Sequence, residues 1–212
     1  MKRRTGWWLP VVAVLAIAFT ACNKQPLDDL SNEESRIYIT DYDSAANFTL
    51  YKTYSISDSV AVIDNNQSVK ELSTADQAYI DAVKKYMAQM GYTLVDKSSS
   101  PDIGVDVSRI TNTSTGVISY PDYYGYYDSY WDPYYWGYGG YDYYSPYSYS
   151  TYSITEGALS IDILDLKNAS ASNQIKLLWT GLIRGEGISD ATTADSQVKA
   201  LFDQSPYLKT NE

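Results

Sequence analysis

Hydrophobic and polar positions along this 212-residue chain follow three rhythms. The first is continuous: "WWLPVVAVLAIAFTA" is apolar throughout and stops at Cys22. The second alternates. "RIYITDYD", "FTLYKTYSI", "YTLVD", "PDIGVDVSRI", "ALSIDILDL" and "IKLLWTGLI" bring β-branched and aromatic residues to alternate positions, the pattern of strands with one buried face. Ile103, Val105 and Val107 fall together on one such face, and the polar "KNASASNQ" joins the last two strands as a turn. The third rhythm repeats every three or four residues. Ala75, Tyr79, Ala82, Val83, Tyr86, Met87 and Met90 predict a helix over 74–90, with Thr74 and Gln77 as a capping box and Gly91 as its C′ stop. Ala194, Val198, Leu201 and Phe202 predict a second helix over 193–204, with Pro206 just beyond it.

Strands, a helix, more strands and a final helix leave few parallel crossovers. The expected fold is therefore α+β: a mainly antiparallel sheet with two helices packed on one face, plus a long Tyr/Gly-rich inserted loop. Residues 1–21 read as a signal peptide, 22–35 as a flexible tether, and 36–207 as a single domain interrupted at 120–152. The tether, "NKQPLDDLSNEES" after Cys22, is polar and poor in large apolar residues.

The interruption is the least ordinary part of the chain. Fifteen of its thirty-three residues are tyrosine, and Trp131 and Trp136 lie among them. Pro121, Pro133 and Pro146, with Gly125, Gly137, Gly139 and Gly140, oppose regular strand pairing. Four aspartates, Asp122, Asp128, Asp132 and Asp142, oppose self-association. The segment reads as a mobile insert on which the packed domain does not depend, either a tolerated decoration or an adhesive surface. In the second case Trp131, Tyr134, Tyr135 and Trp136 are the candidate contacts, because aromatic rings with few rotatable bonds suit both sugars and protein surfaces.

Charge and the first segment give an address. Lys2, Arg3 and Arg4 precede an apolar run shorter than the roughly twenty residues that a spanning helix needs, so it reads as a secretory signal. "FTAC" is similar to a lipobox, with Ala21 in place and Phe19 where Leu is usual. Cys22 is then the acylated residue, and two or more acyl chains hold a protein on a membrane without a span. Cys22 is the one cysteine, so no disulfide within the chain can form. Three of the 16 basic residues and none of the 26 acidic ones lie in 1–21, which leaves the remainder at a net charge of −13. Such a surface repels nucleic acid and anionic headgroups.

Candidate chemistry is sparse. The chain contains no histidine, which removes the usual general base, the usual zinc ligand and the His-dependent triads. "GISDA" places Ser189 like a nucleophile elbow without a base, and "GEGISD" has Asp190 where a dinucleotide fingerprint needs glycine. Both read as a Gly-rich turn before a capped helix. Asp41 with Asp43, and Asp162 with Asp165, are carboxylates that a fold could assemble into a calcium site or a hydrolase pair. Asp162 points away from the face of Ile161 and Ile163, and a polar strand face is the plainer reading. No metal or cofactor is expected.

"FTLYKTYSI", "MGYTLVDKSSSPDIGVDV", "GALSIDILDLKNASASNQIKLLWTGLIRG" and "VKALFDQSPY" together resemble the domain of unknown function 4136. Trp179 to Gly181 and the Gly-x-Leu-x-Ile-Asp block before them are the most specific parts. Ile56, where Trp is frequent, and Ser205, where Phe is common, depart from the pattern. The resemblance implies a bacterial envelope lipoprotein, of a kind found in many Bacteroidota, and implies no established activity or catalytic residue. The expectation is a lipid-anchored, non-enzymatic binding or structural module of the cell envelope. Asn23 is not the aspartate that retains lipoproteins at the inner membrane, so the outer membrane is the expected residence, on either its periplasmic or its surface side. Envelope proteins or glycans are the expected partners. The alternatives are a glycan-binding module built on the Tyr/Trp loop and a carboxylate-based hydrolase.

Overall fold

A computed structural model describes residues 35–64, 67–112, 135–144, 157–185 and 187–210. Cys22, the signal and most of the tether lie outside these residues. Three long strands make the centre: β6 (Ile103–Asn112), β8 (Ala158–Asp165) and β9 (Gln174–Arg184), paired antiparallel in the order β6-β8-β9. Each outer edge of this centre is shared by two shorter strands. β1 (Ile37–Tyr42) and β7 (Asp142–Tyr144) lie along β9, and β2 (Thr53–Ile56) and β3 (Val60–Asp64) lie along β6. β4 (Gln67–Glu71) extends the sheet beside β3, and β5 (Thr93–Leu94) extends it beside β2.

The three long central strands are antiparallel, and the shorter strands around them make the sheet mixed. Of the eight pairings, β2 with β5, β2 with β6, β3 with β6 and β7 with β9 are parallel. The sheet is mixed because a single helix suffices as a crossover. Helix α1 (Thr74–Gln89) carries the chain from β4 back over the sheet, so β6 runs parallel to β2 and β3.

The capping box of α1 starts one residue before the predicted one. Ser73, in extended backbone, accepts from the Asp76 N–H, and Asp76 accepts from the Ser73 N–H in return. Asp76, not Gln77, is at N3. Gly91, at φ 95°, follows the last turn as expected. Helix α3 (Ala194–Asp203) buries Ala194, Val198, Leu201 and Phe202. It packs beside α1, with Tyr79 Oη donating to Gln197 Oε1 at 3.1 Å and the Tyr86 and Phe202 rings 5.8 Å apart.

Local chemistry overrides pattern at two places. "FTL" forms a 3-10 turn over Phe48–Leu50 because the Asn47 side chain accepts from the Thr49 N–H, which favours turn over strand. The turn after β8 contains a single helical turn, α2 (Ala169–Ser172), ended by Asn173 at φ 56°.

One face of the sheet meets the helices. Ile103, Val105 and Val107 of β6 and Leu159, Ile161 and Ile163 of β8 join α1 and α3 in the main core. Trp179 belongs to it too, its indole folded back over Gly181, where an added Cβ would lie 2.5 Å from the ring. Trp179 Nε1 donates to Ser205 Oγ at 2.9 Å. The Trp-x-Gly pattern is thus a packing unit, and Ser205 is the hydroxyl that satisfies its N–H. The opposite face carries Asp106, Ser108, Ser160, Asp162 and Thr180, all buried.

Candidate functional site

Alternation dictates the second face. With Val105 and Val107 turned to the helices, Gly104, Asp106 and Ser108 must face the other way, and with Ile161 and Ile163 so turned, Ser160 and Asp162 do the same. Register places Asp106 directly opposite Asp162 and Ser108 opposite Ser160. Two acids and two serines therefore form a square across one strand pair. Asp106 and Asp162 are 1% and 0% exposed. Ser160 Oγ donates to Asp162 Oδ2 at 2.9 Å.

Trp136 closes over the Asp106 corner of this square. Its Nε1 donates to Asp106 Oδ2 at 3.3 Å, and its ring lies on Gly104 so closely that an added Cβ would sit 2.9 Å from Cε2 and Cζ2. Only glycine lets the indole rest on the strand. Burial pushes the Asp106 carboxyl well above its ordinary range, and the facing Asp162 adds to that. The Trp136 N–H and the field of Lys70 oppose the rise without reversing it.

A second apolar cluster surrounds the indole: Leu164, Leu166, Ala169, Ile175 and Leu177, flanked by Tyr135, Tyr138, Tyr141 and Tyr143. Gly137 and Gly140, at φ 83° and 85°, turn the chain so that Asp142–Tyr144 can run parallel to β9 as β7. Tyr138 Oη donates to the Leu166 carbonyl at 3.0 Å. Residues 135–144 of the aromatic segment thus belong to the packed domain, which differs from the expectation of an insert on which nothing depends. Breakers that oppose long strands also supply the turns that a short docked stretch needs.

Of the four predicted contact residues, Trp131 and Tyr134 lie outside the described residues. Trp136 is 8% exposed and packed, its ring used on the sheet. Tyr135 is half-buried, edge-on to Trp136 at 4.9 Å between centroids, with the ammonium groups of Lys97 and Lys70 at 4.4 and 4.8 Å from its own. Its hydroxyl accepts from the Asp58 N–H at 3.3 Å.

The carboxylates singled out from sequence are not brought together. Asp43 pairs with Lys176, Asp41 is exposed, and Asp165 accepts from Tyr51 Oη at 3.0 Å and Asn168 Nδ2 at 2.7 Å. Asp162 meets Asp106 instead. Asp106 was legible by the argument applied to Asp162, since "VDV" sets it opposite two valines. Among the described residues no group of three or more His, Cys, Asp or Glu side chains is placed to hold a metal ion. Ser189 lies in an exposed turn, and Asp190 Oδ1 accepts from the Thr192 N–H at 2.9 Å, so the Gly-rich motif forms a turn before α3.

The family profile of the domain of unknown function DUF4136 matches residues 39–207. A crystal structure of a DUF4136 family protein from Bacteroides thetaiotaomicron, determined at 1.60 Å, is similar to this chain. The two are 28% identical with a TM-score of 0.70, over 84% of this chain and 99% of that one. No curated protein matches.

Proposed function

The chain belongs to the DUF4136 family, and from that premise we propose that it is a lipid-anchored envelope protein that binds another envelope component without chemical turnover. The observation that carries this reading is the seating of Trp136 on Gly104. Residues 135–144 tie the tyrosine-rich segment to the folded domain, and Trp131 and Tyr134 precede the seat in sequence. Tyrosine and tryptophan then supply contact area at small entropic cost. Cys22 supplies the anchor, with 22–35 as spacer. Among the described residues no helix is long and apolar enough to cross a membrane.

The anchor is tested by feeding cells a palmitate analogue. Wild type should be labelled and Cys22→Ala should not. A wild type that stays unlabelled and washes off membranes overturns the anchor. The contact is tested by Trp131→Ala/Tyr134→Ala in intact cells, where crosslinks to envelope components should drop at least several-fold. Glycan arrays then separate a protein partner from a saccharide one.

A carboxylate-based hydrolase is favoured by one observation, the raised carboxyl of Asp106 opposite Asp162, since a general acid needs such a shift. The seal over the pair weighs against it: both acids are buried and the indole bonds the raised one. Asp162→Asn should leave envelope turnover unchanged. Loss of a hydrolytic activity in that variant would reverse the order of the two readings.

A further inference from the structure

Beside the start of α1, with Thr111 and Gly157 in its wall, lies a cavity of about 660 Å³. Its wall combines groups of both signs with an apolar floor. Arg109 and Asp190 line it, with Thr74 and Ser189 between apolar Ile110 and Ile188. The size falls within the range of small-ligand sites, which pair an apolar lining with a few convergent polar groups.

Arg109 is positioned but not consumed by its neighbours. Nε donates to Asp76 at 3.1 Å and Nη2 to Glu71 at 3.0 Å. Nη1 has no partner among the described residues, and 13% of the side chain is exposed. Asp190 is likewise half committed. Oδ1 accepts from the N–H and hydroxyl of Thr192, Oδ2 accepts no hydrogen bond among the described residues, and the charge of Arg36 acts on the carboxylate. The two charged groups line the same cavity yet make no ion pair with each other.

A cationic donor and an anionic acceptor held apart in one cavity match a ligand that carries both signs. We infer that the cavity binds a short apolar peptide in its zwitterionic form, the carboxylate on Arg109 Nη1 and the ammonium on Asp190 Oδ2, with an aliphatic side chain against Ile110 and Ile188. A simple anion is disfavoured because Glu71, Asp76 and Asp190 still outnumber Arg109 and Arg36. A simple cation meets the guanidinium. The described lining holds no aromatic ring on which a sugar could stack.

The test is calorimetric titration of the lipid-free mature chain with leucyl-leucine, its N-acetyl form, its C-terminal amide and N-acetylglucosamine. The zwitterion should bind at least tenfold more tightly than either blocked form, and the sugar should not bind. Asp190→Asn keeps the Oδ1 acceptor, so it should fold normally while losing most of the preference for the free ammonium. Arg109→Gln would strip a buried partner from Asp76, so Ser189→Trp, which fills the cavity from an exposed turn, is the second variant and should abolish binding. Equal binding of all peptide forms, binding of the sugar alone, or no heat with leucyl-leucine overturns the inference. The readout is heat from small peptides and not crosslinks to envelope components, so this inference and the proposed envelope contact fail on different measurements.

Discussion

Asp106 holds its proton at pH values where an exposed aspartate has lost it, because burial and the facing Asp162 disfavour its charge. The consequence for stability has a definite sign. A carboxyl raised in the folded state binds a proton that the unfolded chain releases. Its contribution is complete below the unfolded value near 4 and is lost as pH climbs toward the folded one. Asp76 acts in the opposite sense. Burial pushes it up, but hydrogen bonds from Ser73 and Arg109 outweigh burial and hold it below the ordinary range. Its stabilisation is present above about pH 4 and disappears as pH falls through the lowered folded value. Asp106→Asn removes the first slope and keeps an acceptor for Trp136 Nε1. Above the unfolded value near 4 and up to the raised folded value, the variant should gain on wild type as pH rises, at no more than about 1.4 kcal/mol per pH unit, the linkage of one proton. Urea unfolding at pH 5, 6, 7 and 8 measures it. Parallel curves for the two proteins would mean that Asp106 is charged in the fold.

Among elements, α1 ties the two ends of the domain's chemistry together. Its cap residue Ser73 donates from Oγ to Asp76 Oδ2 at 2.7 Å, and Asp76 in turn receives Arg109 from β6. Ser73→Ala should cost about 1 kcal/mol, as an ordinary cap does. Asp76→Ala leaves Arg109 with only exposed Glu71, and breaking a buried pair in this way costs roughly 3–5 kcal/mol. Thermal unfolding of the two variants should rank them in that order, and equal losses would show that the cap alone matters. The helices were legible because residues such as Tyr79, Val83 and Phe202 recur at helical spacing and are buried where that spacing puts them. β3 and β4 were not read from sequence although they form a local hairpin, and the parallel pairings of β6 were not read because they depend on where α1 returns the chain. Register, which alone sets Asp106 against Asp162, is likewise a tertiary property. The seat of Trp136 was hidden because "WGYGG" carries turn signals, and nothing local tells a turn that docks from a turn that does not.

At the scale of the whole molecule, a mixed sheet uses one face for its helical core and the other to hold part of an aromatic segment. This divides the segment into a stretch the fold needs, 135–144, and the stretch before it that is proposed to make contact. Exchanging residues 121–150 for a Gly/Ser linker removes Trp136 and β7, and losing a packed tryptophan alone costs roughly 3–5 kcal/mol. Exchanging only 121–134 spares them, and loop closure changes by about 0.6 kcal/mol per doubling of length. The decisive measurement is crosslinking in intact cells of the 121–134 exchange, made on protein whose unfolding midpoint lies within a few degrees of wild type. The expected result is an anchored, folded protein whose crosslinks to envelope components are lost. The same crosslinks at wild-type yield from that folded variant would contradict the proposal that the aromatic segment is the binding surface.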